Sequence, residues 1–244
     1  MSRVVLITGA SRGIGRETAR HFALAGDRVV VNYHQHRAAA ESFVAELSQA
    51  GCTVSAIQAD VSRRDQVDAM VEQTRQIFGP VDVLVNNAGI AQQKLFTDLS
   101  DADWDRMFDI HVKGAFYCCQ AVLPEMIRRH QGIIINVSSI WGMTGSSCEV
   151  HYSAAKAALI GMTRALAKEM GPSNIQVNCV APGVIDTEMN ADLDDATRAD
   201  LIDQTPLGVL GSAADIAHTI VFLASGQAAF ITGQIISPNG GFVI

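Results

Sequence analysis

Short runs of aliphatic and β-branched residues alternate with amphipathic stretches along the whole chain. Seven runs have the length and composition of strands: residues 3–8 (RVVLIT), 28–33 (RVVVNY), 53–59 (TVSAIQA), 81–87 (VDVLVNN), 132–138 (GIIINVS), 175–181 (IQVNCVA) and 233–239 (GQIISPN). Most are continuously apolar rather than alternating, the pattern of strands covered on both faces. Between them, residues 15–26, 38–51 and 64–79 read as helices, and Gly26, Gly51 and Gly79 stand where helix C-caps are expected. This alternation predicts an α/β fold, a doubly wound parallel sheet with right-handed crossovers and helices on both faces. No linker, repeat or low-complexity stretch interrupts it, so residues 1–244 are expected to form a single domain. Residues 186–212 are polar and follow a strand's C-terminal end, where such sheets bind ligands, and are expected to form a substrate lid.

Composition narrows the possibilities. The chain is 48% hydrophobic and 18% charged, enough apolar material for a sizeable core. Its net charge of −7, with no basic tract, argues against a nucleic-acid partner. The first apolar run, Val4 to Ile7, is too short for a signal-peptide core, and no run approaches the ~20 residues of a membrane span. A cytoplasmic protein with no membrane partner is therefore expected. Cys52, Cys118, Cys119, Cys148 and Cys179 show no metal-ligand spacing, so no metal is expected and most read as small core fillers.

Two stretches carry candidate chemistry. The first is TGASRGIG, residues 8–15, between the first strand and the first helix. Gly9, Gly13 and Gly15 let the backbone approach a pyrophosphate placed at a helix N-terminus, with Ser11, Arg12 and Ile14 between them. A tight turn alone would also use glycine here, but Asp60 and Val61 after the third strand, and Asn87, Ala88 and Gly89 after the fourth, point to the same crevice. Sites for NAD place a carboxylate after the second strand. This chain has VVVNYHQHR there, and Arg12 with Asn32 or His34 would face a 2′-phosphate instead. NADPH/NADP+ is the expected cofactor; the alternative is that His34, His36 and Arg37 only start a solvated helix.

The second stretch is SSIWGMTGSSCEVHYSAAK, residues 138–156. Tyr152 and Lys156 are four apart and share a helix face. A phenol with an ordinary pKa of ~10 needs help to act as an acid, and a neighbouring ammonium lowers that pKa. Ser139, at the end of the fifth strand, would donate to a carbonyl oxygen from the other side.

With these motifs the chain resembles the short-chain dehydrogenase/reductase family over nearly its whole length. The resemblance rests on TGASRGIG, NNAG, the serine thirteen positions before YSAAK, and APGVIDTEM. It implies a Rossmann-type sheet, usually of seven strands, and a homotetramer in which the C-terminal segment packs on a symmetry mate. Tyr152 would protonate a ketone as hydride arrives, Ser139 would polarise it, and Lys156 would bind the ribose and tune Tyr152. Pro182, Gly183, Ile185 and Thr187 would meet the nicotinamide end. The family's usual Asn in N-V-x-G is here His111, in DIHVKGAF; it is either tolerated drift or a rewired proton relay.

Within the family the chain is similar to 3-oxoacyl-acyl-carrier-protein reductases. A narrower resemblance, SSIWGMTGSSCEVHYS with His111, is to the reductases of the 5-aminopentanone modification on elongation factor P. The latter implies a substrate with a ketone and an amine, which Glu149 would pair and Trp141 would wall. Alternatively, Glu149 is ordinary charge at a helix N-terminus. An acidic carrier protein would need a basic patch, for which Arg128 and Arg129 are the candidates. A dinucleotide sensor without chemistry is the remaining alternative, though such proteins need none of Ser139, Tyr152 and Lys156.

Overall fold

The computed structural model, which describes residues 2–191 and 193–244, contains the expected sheet. Its strands are β1 (Val4–Ile7), β2 (Arg28–Tyr33), β3 (Val54–Gln58), β4 (Val83–Asn86), β5 (Gly132–Val137) and β6 (Ile175–Val180), closed by Ile235–Ile236. With β7 (Ile185–Asp186) and β8 (Gly211–Ser212) intervening in the chain, that last strand is β9. The order across the sheet is β3-β2-β1-β4-β5-β6-β9, and every neighbouring pair is parallel.

Helices cover both faces. Phe22 of α1 (Gly13–Leu24), Phe43 and Leu47 of α2 (Arg37–Gln49), and Ile216 and Ile220 of α9 (Ala213–Leu223) pack on one face with Val5, Ile7 and Val29. On the other, Met70 of α3 (Arg64–Phe78), Met126 of α5 (Gly114–Arg129) and Met170 of α7 (Val150–Met170) pack with Val4, Leu6 and Val30. Successive strand residues point to opposite faces, and here both faces are buried, which is why the strands read as unbroken apolar runs. Gly26, Gly51 and Gly79 follow α1, α2 and α3 with φ of 89°, 83° and 98°, the left-handed conformation anticipated at helix ends.

The last apolar run differs from expectation. Only Ile235 and Ile236 join the sheet, because Pro238 has no N–H to extend a ladder and the chain turns away. The lid region also has internal order. β7 pairs with β8 at its base, Ile185 against Gly211, and α8 (Asp195–Asp203) lies between them.

Two features aim the elements that bear the chemistry. A π turn at Asp109–Lys113 joins α4 (Asp101–Phe108) to α5, and the extra residue turns His111 inward until it is 2% exposed. A buried amide chain fastens α7 to the sheet: Asn86 Nδ2 donates to Asn136 Oδ1 (2.9 Å), and Asn136 Nδ2 donates to Thr163 Oγ1 (2.9 Å). No helix among the described residues is long and apolar enough to cross a membrane, and they contain no cluster of three or more metal-ligating side chains.

Candidate active site

The glycine turn sits at the switch point of the sheet, where β1 and β4 part. Gly9 adopts φ 63°, and a Cβ there would lie 2.8 Å from Ala88 Cα, so only glycine lets β1's turn press against the end of β4. Thr8 Oγ1 accepts the N–H groups of Asn87 and Ala88, both at 3.0 Å, and Asn87 Nδ2 returns a bond to Thr8 O at 3.0 Å. Gly15 has a different task. It lies beneath the turn, where a Cβ would come within 2.5 Å of Asn87 Nδ2. Above the turn opens a cavity of about 650 Å³, bounded by Gly9, Ser11, Gly13 and Ile14 on one side and Val61, Ala88 and Gly89 on the other. Thr187 closes it at the lid end. Such a cleft, with a helix N-terminus at its floor and the Thr187 and Glu188 side chains 3.8 Å from where a Cβ of Gly13 would stand, fits a dinucleotide.

At the cavity's far end, Arg12 is exposed and forms no salt bridge among the described residues. His34 lines the same cavity, its Nε2 3.8 Å from Asp60 Oδ2. Asn32 corrects the expectation. It is 1% exposed and its amide is already used: Oδ1 accepts Gly9 N–H at 3.1 Å, and Nδ2 donates to Ala59 O at 3.1 Å. Asn32 thereby braces the glycine turn.

Ser139, Tyr152, Lys156 and His111 do converge. Lys156 is 4% exposed and its Nζ donates to Val137 O at 2.8 Å, 5.5 Å from the Tyr152 ring centre. Burial pulls its ammonium down to about 8. Burial also pushes the Tyr152 phenol up to about 12, while the Ser139 hydroxyl works against this and the Glu149 carboxylate adds to it. The expected lowering of Tyr152 by Lys156 is therefore not a property of the protein alone. Desolvation outweighs a neighbour that is itself discharging. His111 stands edge-on to Tyr152 at 5.5 Å. Its Nε2 lies 2.9 Å from Ile90 O, its Nδ1 has no partner, and burial holds the ring neutral. Gly89 makes room for it, since a Cβ at Gly89 would collide with the imidazole.

Pro182, Gly183 and Ile185, like Ser139, Tyr152 and Lys156, are not among the residues that line the glycine-turn cavity. Pro182 O accepts Ile140 N–H at 3.0 Å, Gly183 is pressed against Asn239, and Ile185 is 4% exposed within β7. Trp141 opens the short α6 (Trp141–Thr144), and its N–H donates to Ser139 Oγ at 3.1 Å. Glu149 is 9% exposed, forms no salt bridge among the described residues, and has its carboxyl raised by burial. Cys148 adopts φ 61° and its carbonyl accepts Lys94 N–H at 2.8 Å, joining the loop after β4 to the start of α7.

The profile of the short chain dehydrogenase family matches residues 3–198. The chain belongs to that family. It is 43% identical over 241 residues to "3-oxoacyl-[acyl-carrier-protein] reductase FabG" of Staphylococcus aureus, covering 99% of this chain and 98% of the relative. A 3-oxoacyl-[acyl-carrier-protein] reductase of Synechocystis is 42% identical over 244 residues, covering 100% and 98%. A crystal structure of a "Short-chain dehydrogenase/reductase SDR:Glucose/ribitol dehydrogenase" from Brucella melitensis superposes with a TM-score of 0.92 at 37% identity, covering 99% of this chain and 97% of that one. The chain is thus an oxidoreductase of the short-chain dehydrogenase type.

Several residues of this short-chain dehydrogenase escaped the sequence reading. His151 is fully buried beside Tyr152, with Nε2 2.9 Å from Gln92 Oε1. Gln92 Nε2 in turn donates to Asp103 Oδ1 (2.8 Å), which Lys94 pairs from the other side. Asn86, Asn136 and Thr163 likewise gave no local signal beyond the first Asn of NNAG. Arg128 and Arg129 of the expected basic patch are both paired within the chain, the Arg128 side chain remaining 75% exposed. Arg128 pairs with Glu125 and Arg129 with Asp82 (2.6 Å), beside the N-terminal end of β4 and away from the cavity.

The buried lysine makes a pH prediction. Lys156 titrates near 8 in the folded chain and near 10.4 in the unfolded one, so between those values the unfolded state binds more protons and stability rises with pH. From pH 8 to 10 the stability of the wild-type chain relative to Lys156→Met should rise by about 2–3 kcal/mol. Above pH 10 Tyr152 acts oppositely, because its raised pKa disfavours the phenolate in the fold. Urea unfolding of both proteins at pH 8, 9 and 10 measures the difference, and a flat difference would remove the buried ammonium from the account.

Proposed function

We propose that this short-chain dehydrogenase is an NADPH-dependent reductase of ketones of the 3-oxoacyl type, presented as thioesters on an acyl carrier protein. The observation that carries the reading is the Ser139–Tyr152–Lys156 group, joined through His111 to Gly89 and Ile90 of the glycine-turn cavity. The relatives named as 3-oxoacyl-[acyl-carrier-protein] reductases support the substrate class. When bound, the nicotinamide supplies hydride; the remaining work falls to the chain. Arg12 and His34 hold the 2′-phosphate end. Ser139 Oγ donates to the ketone oxygen, and Tyr152 gives that oxygen its proton. A phenol raised to about 12 keeps its proton until the oxygen becomes basic. Lys156, near 8, gains charge most readily when an anionic phenolate forms beside it. His111, held neutral, buttresses the Tyr152 ring and remains the candidate for returning a proton from inside. A sensor without chemistry would have no use for this group.

A second reading is favoured by one observation, the enclosed carboxylate of Glu149 with no cation beside it, three residues before the proton donor. A ketone bearing an ammonium, such as the 5-aminopentanone group on elongation factor P, would supply that cation. The charge-assisted bond would be worth ~1.5–3 kcal/mol if well made. We also propose a cytoplasmic homotetramer. Phe230, Ile236 and Ile244 leave apolar surface at the β9 edge for a symmetry mate. Within the segment from Phe230 to Ile244 that is expected to pack on that mate, Ser237 and Asn239 also bond within their own chain.

Three measurements test these readings. Tyr152→Phe should lower kcat at least ~10²-fold, as removal of a general acid does, with NADPH affinity largely unchanged by fluorescence titration. Near-normal turnover would exclude Tyr152 as the acid. NADPH should bind more tightly than NADH by ~1–3 kcal/mol, and Arg12→Ala should reduce that preference. Equal affinities would overturn the cofactor assignment. For the second reading, Glu149→Gln should raise KM for an aminoketone about tenfold or more while sparing a neutral ketone of equal length. An unchanged ratio of kcat/KM leaves the 3-oxoacyl reading alone.

A further inference from the structure

After β9 the chain does not leave the molecule. Ser237 Oγ donates to Ala181 O at 2.8 Å, and Gly183 N–H donates to Pro238 O at 3.1 Å, so the tail runs beside the loop that follows β6. Asn239 then builds a tight turn. Its Oδ1 accepts Gly241 N–H (2.8 Å), and its Nδ2 donates to Ser237 Oγ and Val243 O (both 2.9 Å). Gly240 and Gly241 take φ of 65° and 88°.

That turn touches both the lid and the catalytic segment. Gly240 O accepts Leu207 N–H at 3.1 Å. A Cβ at Gly240 would lie 2.6 Å from Thr205 Cγ2, and one at Gly241 would lie 2.9 Å from Pro206 Cγ, so side chains there would push the lid's end away. The next residue, Phe242, places its ring edge-on to Trp141, with centres 5.7 Å apart and planes at 81°. Such an aromatic pair is favourable and geometrically specific. The backbone N–H of Trp141 in turn donates to Ser139 Oγ. A continuous line of contacts therefore runs from the residue that polarises the ketone, through Trp141 and Phe242, to the lid.

We propose that Phe242 is a specificity-determining residue: with Trp141 it forms the far wall of the ketone pocket and meets the apolar chain beyond the carbonyl. The Asn239–Gly241 turn holds that wall in register with the lid. This rests on the ketone-reductase reading above and deepens it. Phe242 is not among the residues that line the cavity above the glycine turn, so its effect falls on the substrate's length and not on the cofactor.

The test compares full-length Phe242→Ala and Phe242→Leu with the wild type on pantetheine thioesters of 3-oxobutanoate and 3-oxooctanoate. One lost apolar contact surface is worth about tenfold in discrimination. Phe242→Ala should therefore lower kcat/KM for the longer ketone about tenfold, through KM, and leave the shorter within twofold. NADPH affinity should be unchanged, and Phe242→Leu should restore most of the loss. Equal losses on both ketones, or a weakened NADPH affinity, would overturn the proposal and make Phe242 merely a support for the fold. A Trp104→Phe background leaves Trp141 as the only tryptophan and gives a readout independent of turnover. Emission should change on binding the longer 3-hydroxyacyl thioester with NADP+, and this chain-length dependence should vanish in Phe242→Ala. If no ketone turns over but that dependence is seen and lost, the reductase reading fails while the wall stands. If ketones turn over and the variant keeps the wild-type length preference, the wall fails alone.

Discussion

The site depends on a lysine kept out of water. Lys156 lies buried at the C-terminal end of β5, an interior strand, with one carbonyl, Val137 O, to satisfy its Nζ. An ammonium in such surroundings is costly, and the protein meets the cost by lowering its pKa to about 8 instead of supplying a carboxylate. A permanent counter-ion would neutralise the charge that a phenolate at Tyr152 needs. Leaving the lysine nearly alone keeps its charge available for the moment when negative charge develops.

Several parts of the fold serve to hold that arrangement. The amide chain from Asn86 through Asn136 to Thr163 pins α7 against β4 and β5 by hydrogen bonds made inside the core. Ser138 Oγ donates to Lys156 O at 2.8 Å, and Gly142 lets α6 lie directly on α7, where a Cβ would come within 2.8 Å of the Lys156 backbone. On the other flank the π turn delivers His111 to the back of Tyr152, and Gly89 is the glycine that allows it. The same glycine bounds the cavity, so one small residue serves both the imidazole behind the site and the dinucleotide in front of it.

The chain's own termini of order explain the substrate side. A two-residue β9 frees the remaining residues to turn back over the loop after β6, and two left-handed glycines carry that turn onto the lid. The lid is thereby fastened at both ends, by the β7–β8 pairing at its base and by the Leu207–Gly240 bond near its close. With Phe242 as the proposed wall, substrate recognition and the position of residues 186–212 share one set of contacts.

What the sequence determined by itself is what is local in the chain. Unbroken apolar runs could only be strands buried on both faces; TGASRGIG specified a turn its glycines alone can make; Tyr152 and Lys156, four residues apart, had to share one face of a helix. Tertiary structure decided whatever depends on partners distant in the chain or on burial. The motif asparagine Asn32 is spent on Gly9 and Ala59, the arginine pair of α5 is spent on Glu125 and Asp82, and Phe242 finds Trp141 a hundred positions away. The direction of the Tyr152 and Lys156 pKa shifts belongs to the same class. Spacing puts two groups side by side, but only the packing around them decides how much water each keeps, and desolvation is the larger effect at both.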